Sequence, residues 1–162
     1  MDKLSAEILK GIAGEEAAPP PPRRPRNPID HWTPAILLER AAYLRKLARL
    51  SDGSASETLR EYPQHAAMLS FRSRSGEAEI HEKFADLFVI LAGAATLVTG
   101  GAVCGARSIG PGETRGDSIE GGTVQELRAG EVVHIPAGTP HQMLLSGDKT
   151  IAYFILKQQE TE

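Results

Sequence analysis

The spacing of apolar residues changes along the chain, from a helical period before residue 51 to short alternating segments after residue 63. Thr33 is a favourable N-cap, Pro34 suits the first helical position, and Gly53 follows the expected helix end. The pattern therefore predicts a helix over 34–50 that packs on the outside of the C-terminal part of the chain, with 54–63 as a connector. Its apolar face is formed by Leu37, Ala41, Leu44 and Ala48.

Beyond residue 63, short apolar segments separated by glycines predict a β-structure. The segment 100–122 holds eight of the sixteen glycines, so it is predicted to be a mobile excursion rather than a tight turn. Eight short strands after one helix predict an all-β fold, either an antiparallel β-barrel or a double-sheet jelly roll. The predicted strands lie near 65–72, 77–82, 86–92, 94–99, 123–128, 131–135, 141–146 and 150–157.

The N-terminal part has a different composition. Apolar residues four apart in 1–14 allow a short helix or an irregular terminus, and both interpretations stay open. The six prolines of 15–28 predict a stiff polyproline II spacer, which could also reach over a neighbouring subunit. The predicted domains are a flexible arm over 1–32, a helix segment over 33–53 and a β-barrel over 54–162.

Composition excludes several classes of protein. The net charge of -3 and the pI near 6.0 give no reason to expect nucleic acid or an anionic membrane as a partner. The single cysteine, Cys104, excludes an internal disulfide framework and a multi-cysteine zinc site. No apolar run is long enough to cross a bilayer, and 1–14 has no secretory apolar core. We therefore expect a cytoplasmic protein.

The segment from Gly130 to His141 is the most informative part of the sequence. A short predicted strand ends at Pro136, which has no amide hydrogen to donate to a sheet. Pro136, Ala137 and Gly138 then favour a tight turn, and the chain resumes as a strand at His141. This corner would hold the imidazole of His141 at a fixed point.

Other polar residues are spaced so that they could meet His141. Glu79, His81 and Lys83 alternate, so they share one face of a strand, and Asp86 begins the face of the next strand. If these faces point inward, two imidazoles and a carboxylate from three strands would suit a metal ion with open coordination positions.

Two stretches resemble the signature motifs of the cupin superfamily. The second motif of that family runs glycine, five residues, Pro-x-Gly, two residues and histidine. It is matched at every spacing by Gly130, Pro136, Gly138 and His141. The resemblance extends over roughly residues 65–157, and it implies a small single-domain bacterial cupin with a cupin-type barrel.

The first motif is degraded. It runs glycine, a few residues, His-x-His, three or four residues, glutamate, six residues and glycine. Between Gly76 and Gly93, His81 is taken as the first histidine, Lys83 as the second and Asp86 as the carboxylate. Family members use these histidines, the glutamate and the final histidine of the second motif to hold iron, manganese, nickel, zinc or copper.

The resemblance therefore implies a divalent metal ion, Fe, Mn, Ni or Zn, held by His81, Asp86 and His141. Lysine is a poor ligand at neutral pH, so Lys83 either leaves a three-ligand site or pairs with Asp86 or Glu79 and leaves the barrel without metal. A lysine amine that binds a substrate carboxylate or acts as a base is a further alternative.

Two more residues are candidates for proton transfer or support of the site. His134 could face inward as a fourth nitrogen or an acid–base group, or could fill space in the sheet. Glu79 could accept a hydrogen bond from a ligand histidine, or lie on the surface.

The predicted function is a small-molecule-binding cupin with a metal site. If it is an enzyme, the expected chemistry is that of an oxygenase or isomerase acting on a small organic acid or sugar derivative. The alternative is a metal-free module that binds a ligand or dimerises. Among partners we expect a small-molecule ligand and a second copy in a homodimer, and neither nucleic acid nor membrane.

Overall fold

The structure, a computed structural model, describes residues 29–160. The segment 1–14, for which a short helix and an irregular terminus both stay open, and the predicted proline spacer over 15–28 lie outside the described residues. A compact unit begins at Trp32 and contains helix α1 and all the described strands.

The predicted helix is confirmed. Helix α1 runs from Pro34–Arg49, and the hydroxyl of Thr33 accepts a hydrogen bond from the Ile36 amide at 3.3 Å. The predicted apolar face is buried against Leu69, Phe71 and Ala152 of the sheet. The helix therefore covers one outer face of the sheet, as its amphipathic pattern predicts.

Within the described residues the chain forms twelve strands, and every pair of neighbours is antiparallel. The strands are β1 (Ser54–Glu61), β2 (His65–Arg72), β3 (Ala78–His81), β4 (Phe84–Thr99), β5 (Ala102–Cys104), β6 (Arg107–Gly110), β7 (Glu113–Gly116), β8 (Ser118–Glu120), β9 (Thr123–Arg128), β10 (Val132–Ile135), β11 (His141–Leu144) and β12 (Ile151–Gln159).

Strand β4 joins the two parts of the curled sheet. Its first half pairs with β12 and β10, and its second half pairs with β11 and β9. The change of partner falls at Gly93, which has a φ of 80°. A Cβ atom at Gly93 would lie 1.9 Å from the carbonyl oxygen of Thr150, so only glycine fits there. The two strands predicted at 86–92 and 94–99 are therefore one strand with a bend.

Two predictions about connecting segments are wrong. Residues 54–63 contain β1, which pairs with β2. The segment 100–122 contains β5, β6, β7 and β8 rather than an irregular excursion. These strands are short or half exposed, so they lack the apolar alternation from which strands are recognised in a sequence.

The interior of the curled sheet is apolar at one end and polar at the other. Phe88 lies at the boundary between the two ends. The centre of its ring is 5.0 Å from that of Tyr153 and 6.5 Å from that of His141. The apolar cluster contains Phe88, Ile90, Ala95, Leu97, Leu127, Ile135, Met143, Ile151, Tyr153 and Ile155. The polar end, next to this cluster, holds the candidate site.

Candidate metal centre

Four polar side chains from three strands converge at the polar end of the interior. His81 ends β3, Asp86 lies near the start of β4, and His141 begins β11 opposite Glu79 in the β3–β11 pairing. The side chains of His81, Asp86 and His141 are only 6%, 3% and 5% exposed. Polar side chains are rarely buried this deeply unless they are paired with other groups or bind a metal ion. The corner predicted before His141 is present, because β10 ends at residue 135 and β11 starts at 141.

The two imidazoles face the same two carboxylates. Nε2 of His81 lies 3.4 Å from Glu79 Oε2 and 3.4 Å from Asp86 Oδ2. Nε2 of His141 lies 3.7 Å and 3.6 Å from the same two oxygens. These separations are longer than good hydrogen bonds, so the atoms face one another without pairing. The donor atoms of Glu79, His81 and His141 form one group within 4.8 Å, and Asp86 Oδ2 lies beside its two nitrogens.

The other nitrogen of each ring donates a hydrogen bond away from this point. Nδ1 of His81 lies 2.6 Å from Glu113 Oε2, and Nδ1 of His141 lies 3.0 Å from the carbonyl oxygen of Thr139. A carbonyl oxygen can only accept, so Nδ1 of His141 carries the proton, and we assign the same tautomer to His81 beside Glu113. In the neutral rings both Nε2 lone pairs then point at the carboxylates of Glu79 and Asp86.

Charged groups surround this arrangement. The guanidinium of Arg115 lies between two carboxylates. It is 3.6 Å from Glu79 Oε1 and 3.6 Å from Glu113 Oε2, so it interacts with both. Burial acts to raise the pKa of Glu79, but the polar contact with the His81 imidazole and the charges of Arg115 and His141 outweigh it and hold that pKa at about 2. Glu79 is therefore a carboxylate at neutral pH.

The surroundings shift the pKa values of the two histidines in opposite directions. Burial acts to lower the pKa of His81, but its bonds to Glu79 and Glu113 and the charge of Asp86 outweigh burial and raise it. Burial dominates at His141 and lowers its pKa. Of the two rings, His81 therefore takes up a proton more readily than His141.

Asp86 has a second charged partner that the sequence did not indicate. Its Oδ1 lies 3.0 Å from Nζ of Lys157 on β12, and neither atom has a hydrogen-bond partner among the described residues, although Nζ also lies 5.9 Å from the centre of the Phe84 ring. The predicted pairing of Asp86 with Lys83 is not found, because Lys83 is exposed in the turn between β3 and β4. A cation does face Asp86, but it comes from a different strand.

The cluster of Glu79 with His81 and His141 suggests a second alignment of the first motif. With His81 as the first histidine and Lys83 as the second, only two residues remain before Asp86. Moved by two residues, Glu79 takes the place of the first histidine and His81 that of the second. Four residues then precede Asp86 and six separate it from Gly93, as the motif requires. The motif spacing therefore also accommodates Glu79, which the structure places in one cluster with His81 and His141.

The remaining predicted site residue, His134, does not join the cluster. It is exposed on β10, where it pairs with Leu87, and it does not line the interior cavity. Sequence reasoning missed Glu113, Arg115 and Lys157. For Lys157 a signal was present, because it continues the alternation of the inward-facing Tyr153 and Ile155.

A cavity of about 250 Å³ adjoins the cluster. It combines a charged wall with an apolar wall, which is typical of a binding site for a small polar molecule. The lining residues include Arg72, Glu79, His81, Asp86, Arg115 and Lys157.

Comparison with known proteins gives a likeness in fold. No protein family matches the sequence, and no curated protein matches it. A conserved Klebsiella pneumoniae protein with a double-stranded β-helix domain superposes with a TM-score of 0.50 at 15% identity, covering 67% of this chain and 80% of that chain.

Two further structures are similar to a lesser degree. The cupin domain of Schizosaccharomyces pombe Cnp3 gives a TM-score of 0.49 at 13% identity, covering 68% of this chain and 67% of that one. The polyketide cyclase RemF of Streptomyces resistomycificus gives 0.48 at 17% identity, covering 67% of this chain and 66% of the cyclase, just under two thirds of its length.

The antiparallel curled sheet and the Klebsiella likeness together show the fold: the chain forms a double-stranded β-helix. The predicted fold class is confirmed. At this level of identity the likeness describes the fold alone. Among residues 29–160, no helix is both long and apolar enough to cross a membrane.

Proposed function

We propose that this protein binds one divalent metal ion inside its barrel and uses the ion to bind and activate a small polar molecule. Glu79, His81 and His141 would hold the ion, and their donor atoms all lie within 4.8 Å of one another. Asp86 would be a fourth ligand through Oδ2. The set differs from the one expected from sequence by the addition of Glu79.

The observation that carries the proposal is the orientation of the two imidazoles. Each Nδ1 donates to an oxygen outside the cluster, and each Nε2 points at two carboxylate oxygens. A lone pair directed at a negative oxygen is unfavourable unless a cation lies between them. Histidines that bind metals commonly donate the other ring N–H to a carboxylate or a carbonyl, as His81 and His141 do.

The donor set fits such an ion in type and in spacing. Two imidazoles and two carboxylates suit iron, manganese, nickel or zinc. Donors held about 2.1 Å from one ion lie roughly 3.0 to 3.4 Å from each other. The distances of 3.4 to 3.7 Å between the histidine nitrogens and the carboxylate oxygens are close to that range.

Each residue around the site has a definable task. Glu113 fixes the ring of His81, and the carbonyl of Thr139 fixes that of His141. Arg115 lies 3.6 Å from an oxygen of Glu79 and 3.6 Å from an oxygen of Glu113, so it positions both side chains. When bound, the ion would supply a Lewis acid for a polar group of the ligand. Metal-assisted oxygenation or isomerisation of a small organic acid or sugar derivative remains the proposed reaction class.

One observation favours the alternative function, a metal-free module. Lys157 places an ammonium group 3.0 Å from Asp86, and its charge also acts to lower the pKa of His81. If Lys157 and the proton on His81 neutralise the carboxylates fully, the barrel would bind its ligand without metal. Elemental composition separates the two functions.

The test is elemental analysis of protein purified without chelators, together with matched histidine variants. We expect close to one equivalent of a transition metal in the wild type, at least a tenfold loss in His141→Ala, and no loss in His134→Ala. The control is apt because His134 is exposed and outside the cluster. An equal metal content in both variants, or none in the wild type, would favour the metal-free module.

Self-association as a homodimer and a cytoplasmic location remain proposals. The absence of nucleic-acid and membrane partners also remains a prediction from the acidic net charge.

A further inference from the structure

Three cationic side chains from the described residues line the cavity beside the proposed metal centre: Arg72, Arg115 and Lys157. Two of them have carboxylate partners, since Arg115 lies between Glu79 and Glu113, and Lys157 lies against Asp86. The third is Arg72. A cation in a cavity that is not neutralised by the protein is available for an anionic ligand.

Arg72 forms no ion pair with any residue of the described range. Its Nε donates a hydrogen bond to the hydroxyl of Tyr153 at 3.1 Å, and no other hydrogen bond of its guanidinium is found among residues 29–160. The two terminal nitrogens are therefore available as a planar pair of donors, the arrangement that binds carboxylate and phosphate groups in bidentate fashion.

The backbone makes room for this guanidinium. A Cβ atom at Gly76 would lie 3.0 Å from Nη1 and 3.1 Å from Cζ of Arg72, so a larger residue would displace the group. Arg72 also lines the small space beside His141 and the polar groove between Asp52 and Glu77, so it stands where the interior opens to the outside.

The charges of the site lead to the same conclusion. Arg72, Arg115 and Lys157 equal Glu79, Asp86 and Glu113 in number of formal charges, although only Arg115 and Lys157 lie within ion-pair distance of these carboxylates. With both imidazoles neutral, a bound divalent ion would leave an excess of two positive charges in an enclosed space. A ligand that carries one or two negative charges would neutralise this excess, whereas a neutral ligand would leave it uncompensated.

We propose that the cavity binds small molecules that carry a carboxylate or phosphate group, and that Arg72 is the residue that recognises this group. This inference deepens the proposed function and rests on it for the second attachment point at the metal. The cavity of about 250 Å³ lies below the usual range for drug-sized ligands, so the ligand is a compact metabolite.

The experiment titrates zinc-loaded protein with succinate, with its neutral diamide and with inorganic phosphate, and follows the heat of binding. We expect succinate or phosphate to bind at least about tenfold more tightly than the diamide. Arg72→Gln should weaken the anion at least about tenfold, and Arg72→Lys should weaken it less, because it keeps the charge but not the planar fork. Arg128→Gln, a change of an exposed arginine on β9, should leave binding unchanged.

Zinc content is measured on the same samples, so that loss of metal and loss of anion binding are read separately. If the wild type holds no zinc, the proposed function fails, while succinate binding that depends on Arg72 would still support the anion site. Three results would overturn the inference: equal affinity for succinate and its diamide, no anion binding at tens of millimolar, or unchanged anion affinity in a folded Arg72→Gln protein. If that variant does not fold, the comparison of succinate with its diamide in the wild type decides.

Discussion

Glu113 accepts a hydrogen bond of 2.6 Å from Nδ1 of His81, so a strand of the glycine-rich segment fixes the ring at the centre of the site. This contact keeps the proton on Nδ1 and leaves Nε2 to face the other ligands. We predict that Glu113→Ala lowers the affinity for zinc roughly 10- to 100-fold. A competition titration against a chromogenic chelator measures this change.

Glu120→Ala is the matched control, because Glu120 belongs to the same segment but is exposed on β8. It should keep the wild-type affinity for zinc. If both variants bind zinc as the wild type does, Glu113 does not position the ligand.

Removal of the Lys157 ammonium group from its position beside Asp86 should lower the stability of the metal-free protein and increase the stabilisation by zinc. In the metal-free protein, Lys157→Met leaves the buried carboxylate of Asp86 without its cation, which should cost about 3 kcal/mol of unfolding free energy. Zinc would then restore more stability to this variant than to the wild type, since it replaces the missing charge. Thermal unfolding with and without zinc measures both effects.

Lys149→Met serves as the control for this experiment, because Lys149 is half exposed and lies 3.9 Å from an exposed carboxylate of Glu126. It should change stability by less than about 0.5 kcal/mol. A zinc effect of equal size in both lysine variants would show that Lys157 does not contact the metal centre.

Acid stability of the metal-free protein should depend on Glu79. Its pKa is about 2 in the folded protein and has its ordinary value, about 4.5, when unfolded. A depressed folded pKa stabilises the protein above the unfolded value, and this stability is lost as pH falls from about 4.5 toward 2. We predict that Glu79→Gln removes on the order of 3 kcal/mol of that pH dependence. Denaturant unfolding at several pH values measures it, and a slope equal to that of the wild type would contradict the prediction.

The bend of β4 should depend on the absence of a side chain at Gly93. Gly93→Ala would place Cβ 1.9 Å from the Thr150 carbonyl oxygen at a φ of 80°, so we expect a loss of several kcal/mol in unfolding free energy. Gly138 has a similar φ of 75° but open space around it, so Gly138→Ala should lose only about 1 kcal/mol. Equal losses of unfolding free energy in the two variants would show that the positive φ alone, and not the contact with the Thr150 carbonyl oxygen, causes the loss.

The sequence predicted the features that depend on interactions between residues close in the chain. Apolar periodicity indicated helix α1 and the strands with buried faces, and proline and glycine indicated the corner before His141. Neither β1 nor the strands of 100–122 could be predicted, because edge strands and short hairpins bury too little apolar surface to leave a pattern.

The candidate site was predictable in part for a similar reason. Residues that alternate on one strand could be grouped, which brought Glu79 and His81 together. Partners from distant strands, such as Glu113 and Lys157, depend on the pairing of β3 with β7 and of β4 with β12. This pairing is a property of the whole sheet, so local spacing does not reveal it. The exposure of His134 follows from the same register.

The most direct test of the metal centre is anomalous diffraction from crystals grown with zinc or manganese and measured on both sides of the absorption edge. We predict one anomalous peak about 2.1 Å from Nε2 of both His81 and His141, with an oxygen of Glu79 at a similar distance. A peak only at exposed histidines, or none at the convergence of these three side chains, would contradict the account.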